Sequence, residues 1–176
     1  MGKGLVIVNT GDGKGKTTAA IGTLIRSMGY GRKALLIEFI KAENFIRGEI
    51  LFLKNAGLEI YHMGLGYTWV LDEKTQKEAA AKAWELSKNK ILSGNYDVIV
   101  LDEINDIFFS KIDFSNEVAL SDVLETLKNR PKDLDIILTG RGAPKELIDY
   151  ADIVTDMKCV KHCYDSGTPG KKGIEF

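Results

Sequence analysis

The residues with the clearest chemical potential form one run near the start of the chain, Thr10-Gly11-Asp12-Gly13-Lys14-Gly15-Lys16-Thr17-Thr18. Its glycines let successive backbone N–H groups converge on phosphate oxygens, and a following helix would add the partial positive charge of its N-terminus. Lys16 would neutralise phosphate charge, and the Thr17 hydroxyl is the hard oxygen ligand that Mg²⁺ prefers. Gly11, Asp12, Gly13, Lys14, Gly15, Lys16, Thr17 and Thr18 are therefore candidate nucleotide-binding residues. The strict phosphate-loop (P-loop) pattern G-x-x-x-x-G-K-[ST] asks for glycine at position 10, where Thr10 stands; Gly11 and Gly13 supply the freedom one and three places later.

Other candidates fall at the ends of apolar runs. Asp102-Glu103 follows Val98-Ile99-Val100-Leu101 in the manner of a Walker B strand, which brings a carboxylate to the metal that Thr17 would share. Either acid could serve. Arg141 lies between Gly140 and Gly142 after Leu138-Thr139 and can reach a neighbouring site to pair with phosphate oxygens. Lys41, after Phe39-Ile40, is a further cation at a run's end; an exposed turn arginine and an ordinary surface lysine are the plain structural alternatives. Gly64-Leu65-Gly66-Tyr67-Thr68-Trp69 sets two large aromatics in a glycine-rich loop, which suits a flat apolar ligand such as adenine or something larger, unless the rings fold back onto the core. Cys159, His162 and Cys163 are close in sequence but do not complete a zinc site. Tyr67 and Trp69 are not interleaved with basic residues, which argues against stacking on single-stranded nucleic acid.

The elements that must position these residues alternate. Strands are predicted over 4–9, 33–40, 58–62, 96–101, 134–139 and from Asp152 to Met157. Helices are predicted after Lys16, over 45–55, from an Asp72 cap to about Leu92, over 115–130 and over 143–150. In the long helix Ala79, Ala83, Leu86 and Lys90 lie near helical spacing, and Ser166 to Phe176 reads as irregular. Alternation of this kind predicts an α/β fold of the P-loop NTPase, RecA-like type: a mostly parallel five- or six-stranded sheet with helices on both faces. Ligands in such sheets bind beyond the carboxyl ends of the strands, where the candidates above fall.

Composition agrees. The 176 residues, 44% hydrophobic and 28% charged, suit a single domain spanning 1–176. A net charge of −1 gives no basic field for nucleic acid or anionic membrane. The two cysteines build no disulfide framework and favour a reducing compartment. No apolar run approaches the roughly 20 residues of a membrane span, and Leu5–Val8 is too short for a signal peptide core. A cytoplasmic protein is expected.

Taken in order, these motifs resemble the P-loop type of ATP:corrinoid adenosyltransferases. The matching stretches are Thr10–Thr18, Glu38-Phe39-Ile40-Lys41, Gly64–Trp69, Val100–Glu103, Leu138-Thr139-Gly140-Arg141-Gly142-Ala143-Pro144, Val160-Lys161-His162 and Lys172-Gly173-Ile174-Glu175-Phe176. Asp12 stands where many members have Asn, Glu38 where Gln is common and Tyr67 where Phe is usual. Some relatives carry an N-terminal arm that covers the corrinoid; this sequence starts almost at its first strand.

The resemblance implies that cobalt(I) of a reduced corrinoid (cob(I)alamin or a precursor) attacks the 5′-carbon of ATP and that triphosphate leaves. Such a step needs no general base, only leaving-group stabilisation and alignment of two substrates. It implies roles for Lys16 and Arg141 on the triphosphate, for Mg²⁺ or Mn²⁺ on Thr17 and Glu103, and for Tyr67 and Trp69 beneath the corrinoid ring, where they keep an axial ligand off the cobalt. ATP would then lie along the loop in an unusual direction. A homodimer and a flavodoxin-like reductant are also implied. Two other readings remain: a RecA-like ATPase in which Glu103 polarises water for attack on the γ-phosphate, and a nucleotide sensor without turnover.

Overall fold

The apolar runs of the central strands can be buried on both sides only if they lie inside a sheet covered by two layers of helix. A computed structural model of the chain, which describes residues 2–41, 47–66 and 72–175, has this arrangement. In chain order the elements are β1 (Val6–Thr10), α1 (Lys16–Gly29), β2 (Ala34–Glu38), α2 (Gly48–Asn55), β3 (Glu59–His62), α3 (Glu73–Leu92), β4 (Val98–Asp102), α4 (Ile104–Phe109), α5 (Leu120–Asn129), β5 (Asp135–Thr139), α6 (Lys145–Tyr150) and β6 (Ile153–Asp156). The six strands form one sheet, every neighbouring pair parallel, in the order β3-β2-β4-β5-β1-β6.

Alternate residues of the central strands enter two separate cores. Leu35, Ile37, Ile99, Leu101, Ile136 and Leu138 pack with Trp84 and Ile91 of α3, Leu127 of α5 and Leu147 of α6. Leu36, Val98, Val100 and Ile137 pack with Ile21 and Leu24 of α1 and Leu53 of α2. So α1 and α2 cover one face and α3 to α6 the other. The carboxyl ends of β1, β2, β4 and β5 consequently open on one edge of the sheet.

Several expectations need correction in detail. The buried stripe of α3 is Ala80, Ala83, Trp84, Ser87 and Ile91; of the residues picked out by helical spacing Ala83 lies in it, and Ala79, Leu86 and Lys90 do not. Trp84 sets the rotation: its ring is buried and its indole N–H donates to Asp122 of α5 at 2.7 Å. Asp72 caps α3 as predicted, accepting from the Thr75 N–H at 3.0 Å. The helix expected over 115–130 starts only at Leu120, because Asp113 accepts from the Ser115 N–H and turns the chain first. The short helix α4, directly after Asp102-Glu103, was not predicted. Among the described residues no helix is long and apolar enough to cross a membrane.

Lys90 instead ties α3 to the sheet. Its ammonium lies 2.9 Å from Glu59 and 3.1 Å from the Tyr96 hydroxyl, and 4.7 Å from the centre of the Tyr61 ring. The hydrogen bond from Lys90, with those from Tyr61 and Tyr96, holds the Glu59 carboxyl down at about 2. A carboxyl depressed in the folded state stabilises above its unfolded value and loses that contribution as pH falls through its folded value. Glu59→Gln is therefore expected to lower stability at pH 7 by about 1 kcal/mol, the scale of a partly exposed network. The gap to the parent should close between about pH 4.5 and pH 2. Thermal melts against pH check this.

Candidate functional site

The glycine-rich run forms the turn between β1 and α1, and its glycines are required by close neighbours. Gly11 has φ 96° and Gly15 φ 114°, both in the left-handed region. A Cβ on Gly13 would lie 2.6 Å from the Met157 carbonyl oxygen, and the Gly13 N–H donates to that oxygen at 2.5 Å. The turn is thus wedged against the segment that leaves β6. Thr10, the departure from the strict pattern, is the last residue of β1. It is buried, and its hydroxyl accepts from the Ala143 N–H at 3.1 Å, tying the turn after β5 to the loop.

Lys16 opens α1 and donates to the carbonyls of Gly11 and Gly13 at 2.8 and 2.7 Å. Burial, and then the nearby Arg141 charge, lowers its pKa. These carbonyls keep the ammonium curled over the loop. Lys14 pairs with Glu175 at 3.3 Å, and Glu175 lies 3.6 Å from His162 Nε2. The tail, irregular as expected, therefore folds over the loop. His162, Cys163 and Glu175 bring ligand atoms within 4.8 Å of one another, a grouping that sequence spacing missed because Glu175 is remote.

The acids at the end of β4 are the most heavily engaged part of the site. Asp102 is 0% exposed; it accepts from the Thr139 hydroxyl at 2.7 Å and from Lys41 at 2.6 Å. Lys41 also lies 3.3 Å from the Thr17 hydroxyl and 3.5 Å from Glu103. Glu103 adopts φ 66°, unusual for a residue with a side chain, and its N–H donates to Thr139 Oγ1. One of its carboxylate oxygens, Oε2, is buried without a hydrogen-bond partner among the described residues. Burial, reinforced by Asp102 and Asp106 and opposed by Lys41, pushes the Glu103 carboxyl up to about 7.

Thr17, Lys41, Glu103 and Arg141, with residues 12–18 of the loop, line one cleft of ≈ 610 Å³. The predicted cations and acids are therefore brought together. Tyr67 and Trp69 lie outside the described residues. Beside the cleft is a pocket of ≈ 220 Å³ whose lining includes the apolar side chains of Phe39, Leu65, Ile107, Phe109 and Phe114. Phe109 is 58% exposed.

Sequence reasoning missed two further features. Asp106, one helical turn after Glu103, lines both cavities, and its carboxylate accepts from the Arg141 N–H at 3.1 Å. Its i,i+3 spacing from Glu103 was the available signal. The other is a buried ion network: Glu38, at the end of β2, pairs with both terminal guanidinium nitrogens of Arg47 and lies 2.5 Å from His62 Nδ1. Glu38 is the register partner of Asp102.

The chain matches, over residues 2–176, the family described as ATP:corrinoid adenosyltransferase BtuR/CobO/CobP. It is 34% identical over 175 residues to a corrinoid adenosyltransferase of Escherichia coli, covering 99% of this chain and 86% of the relative. A corrinoid adenosyltransferase of Salmonella typhimurium is 35% identical over 175 residues, with the same shares covered. One from a Sinorhizobium species is 36% identical over 178 residues, covering 99% of this chain and 81% of the relative.

Arg141 owes its placement to Gly140, whose φ is 128°. A Cβ there would strike the Asp106 carboxylate and stand 2.9 Å from Asn105 Cβ. Gly140→Ala is expected to cost about 1–3 kcal/mol, the scale of a strained backbone conformation. Adding Asp106→Ala should recover only the part due to the contact, since the φ strain stays. Melting temperatures of the single and double variants measure the two parts.

Proposed function

The chain belongs to the ATP:corrinoid adenosyltransferase family and is an enzyme of that activity; on that premise we propose how its residues divide the work. The whole chain acts as one domain. The loop Gly11 to Thr18, with Lys16, Arg141 and Lys41, holds the triphosphate of ATP, and the corrinoid approaches from the apolar side. The observation that carries this division is the meeting of a charged cleft and an apolar pocket at Asp106. Two substrates of opposite character can be aligned there, which is what a bimolecular transfer requires. The hydrolytic alternative falls with the family assignment.

In the proposed reaction cobalt(I) of the corrinoid substrate donates an electron pair to the ribose 5′-carbon. A carbon–cobalt bond forms, the carbon–oxygen bond breaks, and its electron pair leaves with triphosphate. No proton moves, so the protein's task is to stabilise charge on the departing oxygens. Lys16 gives up its two carbonyl partners for phosphate oxygens, and Arg141 projects from the turn fixed by Asp106. ATP lies along the loop in an unusual direction, with the 5′-carbon towards the corrinoid.

A divalent cation suits the oxygens at the end of β4. The donors Thr17 Oγ1 and Glu103 are hard, Glu103 Oε2 is buried without a hydrogen-bond partner among the described residues, and a cationic side chain already lies among them. Asp102 is less available, since it is fully buried and the Thr139 hydroxyl holds one of its oxygens. We assign Thr17 and Glu103 as the residues that would hold Mg²⁺ or Mn²⁺; when bound, the ion would offset triphosphate charge. Tyr67 and Trp69 would pack under the corrinoid and keep an axial ligand off the cobalt. The reading also includes a cytoplasmic homodimer served by a flavodoxin-like reductant.

Incubation with ATP, Mg²⁺ and chemically reduced cobalamin tests the reaction. Adenosylcobalamin and intact triphosphate are expected in equal amounts; ADP and phosphate formed without corrinoid would overturn it. For the aromatic loop, the parent with ATP is expected to give a four-coordinate cob(II)alamin spectrum and Trp69→Ala to abolish it. An unchanged spectrum would remove Trp69 from that role.

A further inference from the structure

Lys41 occupies the place a divalent cation would take. Its Nζ lies 2.6 Å from Asp102 Oδ2, 3.3 Å from Thr17 Oγ1 and 3.5 Å from Glu103 Oε1. These oxygens come from the first turn of α1 and the end of β4, the two places expected to share a metal. A Mg²⁺ ion binds oxygen at about 2.0–2.1 Å, so an ammonium inside the same set of oxygens leaves it no room. The lysine side chain is 22% exposed and the Asp102 side chain 0%. An ammonium on a four-carbon stem can leave by bond rotation alone, which a guanidinium locked in a two-point pair does less readily.

We propose that Lys41 is the resident counter-ion of the metal seat, and that a nucleotide-bound divalent cation displaces its ammonium, which then turns to the triphosphate. The proposal rests on the assignment of Thr17 and Glu103 as that seat. Without nucleotide the acids keep Lys41, so free metal must compete with an internal cation held at close range. With nucleotide the triphosphate offers Lys41 a new anionic partner in the same cleft, and metal and ATP enter as one unit. The positive charge is exchanged at the acids and conserved in the cleft. Metal and nucleotide binding are thereby coupled, each strengthening the other by the same factor.

Mn²⁺ titration of the nucleotide-free protein, followed by electron paramagnetic resonance, tests this without any turnover. Lys41→Met and Lys41→Gln are compared with the parent, each alone and combined with Glu103→Gln, after circular dichroism has confirmed folding. Lys41→Gln keeps a hydrogen-bond donor for Asp102 and serves if the methionine variant does not fold. Removing a unit charge held a few ångström from the seat is expected to tighten Mn²⁺ binding by about tenfold or more. That gain should vanish when Glu103→Gln is added. Equal Mn²⁺ affinity in the parent and the Lys41 variants, with Glu103→Gln still weakening binding, would overturn the exchange and leave the seat in place. Mn²⁺ affinity indifferent to Glu103→Gln, with and without ATP, would overturn the seat and the exchange with it.

Discussion

A carboxylate withdrawn from water at the end of the sheet's central strand constrains most of what surrounds it. An isolated buried charge would cost far more than a domain's whole margin of stability, so Asp102 must be fully partnered. Thr139 supplies one partner and fixes the end of β5; Lys41 supplies the other and fixes the chain beyond β2. The Thr139 hydroxyl also receives the Glu103 N–H, which helps hold that residue in its left-handed conformation and starts α4. Through α4 the constraint reaches Asp106 and so Arg141. A single acid thus places two of the site's cations and one of its turns.

Beside it in register stands Glu38, equally buried. Two like charges on adjacent strands repel, and each has recruited its own cation. The pairs differ in kind. Glu38 is held by a two-point guanidinium pair with an imidazole behind it, a rigid arrangement whose loss would cost about 3–5 kcal/mol. Asp102 is held by a single ammonium on a long stem. The contrast separates a structural anchor from a replaceable partner: Arg47 and His62 together meet the charge of Glu38.

Much of this was legible in the residues. Apolar runs of four or five followed by a polar residue announce strands buried on both faces, and the functional residues follow those runs. The strand-to-helix turn with Gly-Lys-Thr declared its chemistry by residue type alone. What could not be read lies in contacts between distant segments. Nothing in the spacing indicates that Glu175 reaches Lys14, or that the Thr10 hydroxyl accepts from the Ala143 N–H. The α4 helix was missed because six residues are too few to show a helical period. The buried face of α3 is offset by one residue from the spacing picked out, because Trp84 and Ser87 fill the stripe between Ala80 and Ile91.

The sheet order has a consequence for how the molecule is made. β1, which carries the phosphate loop, is synthesised well before its neighbours in the sheet, β5 and β6. Until those arrive, its backbone groups lack their ladder partners and the glycine turn has no Met157 carbonyl to rest against. Such long-range pairings bear the loop-closure entropy of almost the whole chain and form slowly. A nascent chain therefore displays the loop's sequence early but gains a formed loop only as the final strands dock, so a truncated translation product would carry the signature of nucleotide binding without the capacity for it.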